Sequence, residues 1–331
     1  MTMAPIPAVL AVLFCAALFV LLFQYLFPRR ASWKLAGAAV VAGVICTILL
    51  TLILHRLVGS GLASFEALTS IATALPFAIF RVGLPEEAAK ALAAMLALLP
   101  FWRRATPAEA FQATLFAAVG FAIVENQGYA MVVSDSAILI AFGRGFLATL
   151  THSLLAMIFG SFLMRFVARG WRHWHLPIIG YLVAAGCHAL YDVGMLPIMA
   201  EYVKGMRAVG INKATVSIPT VLSSVPFVFA GITLVLVAGL WSLRSAIRRA
   251  AADDPITADP RHQAVVRRWR WSANTLLVLG GVGLIGAIAY TVFVESPQAE
   301  TPDLRAALIG AIGFAAAIFA LIVSWVLRQK R

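Results

Sequence analysis

Two adjacent glutamates, Glu86 and Glu87, and a lysine one turn on, Lys90, head the apolar run "GLPEEAAKALAAMLALLPFW" from Gly83 to Trp102. On a helix Lys90 stands three residues after Glu87 and four after Glu86, so it can reach either carboxylate. One glutamate can then be paired and the other left free. Pro85 suits a first helical turn, where its missing N–H is not needed, which makes the two glutamates first-turn residues at the positive end of the helix dipole. Further along, "GFAIVENQGY" sets Glu125 and Tyr129 on one face at i, i+4, with Asn126 turned about 100° away. His152 stands in "RGFLATLTHSLLAMIFG". Then "HALYD" puts His188 and Asp192 one turn apart, a spacing at which the carboxylate can fix the imidazole tautomer or both can act on one ligand.

The elements that must carry these groups are membrane helices. The chain of 331 residues is 62% hydrophobic and 12% charged with a mean hydropathy of +0.93, far from the composition of soluble domains. Apolar runs long enough to cross a bilayer core of about 20 residues fall near 5–27, 35–55, 85–102, 107–133, 142–165, 176–198, 218–243, 273–294 and 306–327. The expected fold is therefore all-α: a polytopic transmembrane bundle of about nine spans. The segment 62–83, interrupted by Glu66, Pro76 and Arg81, reads as an interfacial or re-entrant piece. Cys15, Cys46 and Cys187 each lie inside an apolar run and imply no disulfide framework.

The net charge of +12 is read as topology and not as a nucleic-acid surface, because basic loops orient membrane proteins and meet anionic headgroups. With the N-terminus outside and the C-terminus inside, 18 Lys and Arg fall in inner segments and 7 in outer ones. The loop containing Lys204, Arg207 and Lys213 runs against that trend. The first run lacks a basic leader and is followed directly by "PRRASWK", so it reads as a span and not as a cleaved signal. The long basic stretch Arg244 to Trp271 is expected to touch inner-leaflet headgroups. Three parts follow: a two-span segment over 1–60, a membrane core over 61–198, and a three-span extension over 199–331.

Ionisable groups in hydrocarbon cost several kcal/mol unless paired, solvated or ligating. The first two spans and the last three have none in their interiors, whereas the four between 85 and 198 hold Glu86, Glu87, Lys90, Glu125, His152, His188 and Asp192. At 1.5 Å per residue Glu125 lies ~27 Å along its helix, and all seven groups fall in the outer half of the membrane. Buried ion pairs would explain one such pair more readily than seven groups on four successive helices. An ion- or proton-coupled transporter or channel could use the same cluster, but no internal repeat accompanies it. A zinc site from Glu86, Glu125, His152 and His188 is chemically sensible, although there is no HExxH. Ser153 beside His152 and Cys187 beside His188 point about 100° away from those rings and make poor nucleophile pairs.

The pieces "EEAAK", "GFAIVENQGY", "TLTHSLLAMIFG" and "HALYD", in that order on consecutive spans, resemble the PrsW-type intramembrane proteases, distant relatives of the CAAX prenyl endopeptidases. The resemblance covers about residues 80–195. It implies hydrolysis of a peptide bond in a membrane-anchored protein at the outer face of a bacterial cytoplasmic membrane; the best-known member cleaves an anti-sigma factor. The wider superfamily is described both as metal-dependent and as glutamate-based, so zinc stays open. Amide hydrolysis needs an activated water, oxyanion stabilisation and a proton for the leaving amine. The expected catalytic set is Glu86, Glu87, His152, His188 and Asp192: Glu86 as base with His152, Lys90 holding Glu87, and His188, oriented by Asp192, facing the oxyanion. Glu125, Asn126 and Tyr129 would shape the pocket or complete a metal shell.

Overall fold

In hydrocarbon every backbone N–H and C=O must be satisfied within its own segment, so apolar runs of this length become helices. The computed structural model describes residues 6–27, 30–58, 67–132, 137–209 and 216–252, and among them every regular element is helical. In chain order these are α1 (Ile6–Leu26), α2 (Trp33–Val58), α3 (Ile71–Phe77), α4 (Leu84–Leu98), α5 (Pro107–Val132), α6 (Ala137–Arg169), α7 (His175–Val209) and α8 (Ile218–Ala252). Six of them are long and apolar enough to cross a membrane: α1, α2, α5, α6, α7 and α8.

Among the described residues that count falls short of the expected nine at two places. The runs 273–294 and 306–327, with most of the basic stretch beyond Ala252, lie outside the described residues. The run 85–102 forms only the 15-residue helix α4, short for a bilayer core by itself. It is lengthened from the other side, where the segment expected to be interfacial enters it without a break. A π-helical turn, Ala78–Gly83, joins α3 to α4, and the Leu84 N–H donates to the Ile79 carbonyl. Pro85 thus follows a widened turn within a longer helix, and the glutamates are not at a free helix start. Two other boundaries move: α7 runs through Pro197 to Val209, into the expected loop 199–217, and α8 carries Arg244, Arg248 and Arg249 in its last turns.

The central helix is α5, whose residues 110–122 are all buried. It starts where the sequence "TPAE" supplies a reciprocal cap. The Thr106 N–H donates to Glu109 Oε2 (2.8 Å) and the Glu109 N–H to Thr106 Oγ1 (3.3 Å), with Pro107 in the first turn. At the crossing of α2 and α5 a Cβ on Gly43 would collide with the Ala117 carbonyl oxygen, and one on Gly120 with the Val40 carbonyl oxygen. Small residues are what allow such backbone approach in a membrane, where water does not drive helices together. Gly83 does the same on the other side, since a Cβ there would stand 2.7 Å from the Ala185 oxygen and 3.2 Å from the Ala189 Cβ. The π-turn is therefore pressed onto α7 at the level of His188.

Polar side chains fasten one end of the bundle. Gln112 on α5 accepts from the Ala31 N–H (2.9 Å), and Gln24 donates to the Ala31 carbonyl (3.2 Å), which ties the α1–α2 connection to the core. At this end the rings of Trp102, Phe166 and Trp171 cluster at centroid spacings of 5.3–5.7 Å, while Trp171 and Trp174 are exposed. Tryptophans beside Arg103, Arg104, Arg169 and Arg172 have the character of a membrane-interface belt. Glu86 and Glu125 lie toward the opposite end of their helices, and His152 at the middle of its own.

Candidate active site

Four helices converge on one polar cluster: α4 brings Glu86, Glu87 and Lys90, α5 brings Glu125 and Tyr129, α6 brings Arg144 and His152, and α7 brings His188 and Asp192. Glu87, Lys90, His152 and His188 are buried. The Lys90 ammonium donates to Glu87 Oε1 (2.6 Å) and to His152 Nδ1 (3.0 Å), and lies 4.0 Å from Glu86 Oε2. It also sits over the Phe121 ring at 4.3 Å, and His152 meets the same ring edge-on at 5.0 Å. Phe121 is thus the apolar floor of the cluster.

The partners fix both imidazole tautomers. Lys90 has only protons to give, so His152 Nδ1 accepts, and Nε2 carries the proton that goes to Glu125 Oε2 (2.6 Å). His188 Nδ1 faces Glu87 Oε1 at 2.8 Å and donates to it. A neutral His188 then has its lone pair on Nε2. That atom looks toward Asp192 Oδ2 (3.2 Å) and Glu86 Oε2 (3.8 Å). The ring is held from the Glu87 side, because Asp192 Oδ2 stands at contact distance without the alignment of a hydrogen bond.

Glu86 Oε2 and Asp192 Oδ2 are both buried without a hydrogen-bond partner, which for a carboxylate costs far more than for a neutral group. Acceptor atoms that converge in this way are what a bound cation requires. Glu86, His152 and His188 each offer a ligand atom, all within 4.8 Å of one another. One oxygen and two imidazole nitrogens are a zinc-type donor set, and each ring is already bonded to a carboxylate on its other nitrogen, the usual second partner of a metal-binding histidine. The residues therefore fit a metal, with His152 Nδ1 exchanging Lys90 for it. Glu125 is outside that triad: one oxygen is bonded to His152 and the other to Arg144 Nη2 (3.0 Å).

Of the residues singled out in the sequence, Asn126 is turned away. It is buried and donates to Thr149 Oγ1 on α6 at 3.3 Å, one turn before His152, so it joins α5 to α6. Tyr129 lies at the open edge, more than a third exposed, with the Arg144 guanidinium stacked 3.5 Å above its ring. Two participants were not singled out. Arg144 stands eight residues before His152 on the same helix. Tyr181, two turns before His188, donates to the Leu84 carbonyl (3.0 Å) and ties α7 to the backbone just ahead of Glu86. In both, the i, i+7/8 spacing was the available signal.

The sequence model of the PrsW family intramembrane metalloprotease matches residues 31–237, from just before α2 to within α8. No curated protein and no solved structure matches the chain.

Proposed function

The chain belongs to the PrsW family of intramembrane metalloproteases, and on that premise we propose that it cleaves a membrane-anchored protein at the polar end of the four-helix cluster, near the outer face of the membrane. The observation that carries this reading is the pair of buried, unbonded carboxylate oxygens, Glu86 Oε2 and Asp192 Oδ2, beside His188 Nε2.

The roles follow from which groups are already engaged. Glu87 Oε1 receives both Lys90 and His188, so Glu87 is a fixed anion that orients them and is not a base. Glu86 is the carboxylate left over, partly exposed at 19% of its side chain. A zinc ion would be held by Glu86 Oε2, His152 and His188 Nε2, and when bound it would acidify a water and polarise the scissile carbonyl. Glu86 Oε1 takes the proton from the attacking water and returns it to the departing amine. Glu87 and Glu125 hold the two imidazoles in their tautomers. Asp192 adds negative charge beside His188 Nε2 and strengthens its attraction for a cation. Phe121 keeps the cluster dry, which strengthens each of these interactions. Family membership favours this hydrolase over an ion-coupled transporter built on the same charges.

The test uses the full chain purified in detergent with a single-span peptide substrate, wild type against Glu86→Gln. Cleavage by the wild type and its loss in the variant, with unchanged thermal unfolding, is the expected result. Cleavage retained by a Glu86→Gln, Glu87→Gln double variant would overturn the reading.

A further inference from the structure

Glu125 bridges two groups that stand eight residues apart on α6. Its Oε2 accepts from His152 and its Oε1 from Arg144, across a rise of ~12 Å along that helix. A carboxylate bonded through one oxygen can swing about its last torsion, a broad and soft one. Bonded through both, it cannot turn away from His152 without breaking the charge-assisted bond to Arg144. The guanidinium is itself fixed by its stack on Tyr129 at 3.5 Å, a geometry that a planar, delocalised cation makes and an ammonium does not. Arg144 bonds to Glu125 and not to His152 or the glutamates of α4, it stacks on Tyr129, and it stands at the partly exposed rim with 29% of its side chain accessible.

We infer that Arg144 is a positioning residue for the hydrolysis: braced on Tyr129, it locks Glu125, and Glu125 in turn holds the His152 Nε2–H in a short bond that keeps the ring oriented with Nδ1 turned into the cluster. The inference rests on the proposed protease site and adds a third tier to it, Tyr129 to Arg144 to Glu125 to His152. Removing the guanidinium frees Glu125 to rotate away from the His152 Nε2–H and leaves the ring held through Nδ1 by Lys90 alone. The rate of the chemical step falls while substrate binding, which Arg144 does not supply, is kept.

The experiment compares wild type, Arg144→Ala and Arg144→Lys in full-length protein on the same single-span peptide, with guanidinium or ammonium ions added. Loss of an outer partner of a functional histidine typically costs about 10- to 100-fold, and that fall is expected in kcat with KM held. Arg144→Lys recovers little, because an ammonium cannot stack and bond together. Added guanidinium restores part of the kcat of Arg144→Ala, and added ammonium does not. Independently of turnover, proton and nitrogen NMR of the labelled His152 ring in metal-free protein reads a strongly hydrogen-bonded Nε2–H in wild type and a weakened, exchange-broadened one in Arg144→Ala. If the wild type cleaves while Arg144→Ala keeps its kcat, or if its His152 Nε2–H signal is unchanged, the inference is wrong and the protease reading stands. A wild type that cleaves nothing removes both.

Discussion

His188 Nδ1 and Lys90 Nζ meet at one oxygen, Glu87 Oε1, at 2.8 and 2.6 Å, so a single buried acceptor ties α4 to α7 and fixes a cation and an imidazole at once. The neighbouring Glu86 shares the helix, the sequence and the charge, yet its Oε2 has no hydrogen bond. The two glutamates are therefore expected to fail in different ways when neutralised.

Glu86→Gln should abolish turnover and leave stability near wild type. Glu87→Gln should abolish turnover and also destabilise, because the buried Lys90 ammonium loses its one hydrogen-bonded carboxylate and keeps only Glu86 at 4.0 Å. Breaking a buried pair in this way costs about 3–5 kcal/mol. Thermal unfolding of both variants in the same detergent distinguishes them. Equal midpoints would show that Glu87 is not the structural member of the pair.

Metal removal provides a second test. A chelator should inactivate the enzyme and zinc should restore it, and Glu86→Gln, His152→Gln and His188→Gln should each lower the zinc bound per chain. Glu125→Gln should lower it less, since Glu125 acts on His152 and not on the ion. Full activity in rigorously metal-free protein would leave Glu86 and the two histidines to activate water unaided.

Sidedness is measured by cysteine labelling in intact cells. The native cysteines, Cys15, Cys46 and Cys187, are buried and unpaired and can be replaced by serine or alanine for this purpose. Ser134→Cys is expected to react from outside and Ala251→Cys only after permeabilisation, in keeping with the excess of inner arginines. The same response at both positions would remove the outward-facing site.

The α2–α5 crossing predicts a stability effect remote from the chemistry. Gly120→Leu places a side chain where even a Cβ would strike the Val40 carbonyl oxygen. Overpacking of this kind costs about 1–3 kcal/mol. Unfolding of Gly120→Leu, read by temperature or denaturant, should show that loss, and a midpoint at the wild-type value would mean that the crossing opens without cost.

The sequence already displays the seven ionisable groups of the core, because charges inside apolar runs are visible against a uniform background, and "TPAE" announces the start of α5. What it hides is which partner each charge takes. Spacing allowed Lys90 to reach either glutamate, and only the approach of α7 shows that Glu87 is also claimed by His188. Asp192, one turn from His188, looked like its natural orienting group, yet the hydrogen bond comes from another helix. Asn126, quoted with Glu125 and Tyr129, is turned by its helix phase onto Thr149. Arg144 escapes notice because it stands near the edge of the expected run 142–165, whereas α6 begins at Ala137 and places it within the helix, two turns before His152.

The π-turn at Ala78–Gly83 acts as a phase shifter. It inserts an extra residue into one turn, and one residue is about 100° of helix rotation, so side chains before and after it do not obey a common 3.6 periodicity. A deletion of one residue within 78–83 would leave every charge of the core in the sequence and every span its length. It would nevertheless rotate Glu86 and Glu87 off the face that meets His188, or else pull the 71–77 helix out of register with α7. Apart from Gly83, where a Cβ would strike the Ala185 oxygen, the segment is for this reason expected to tolerate substitution better than any change in its number of residues.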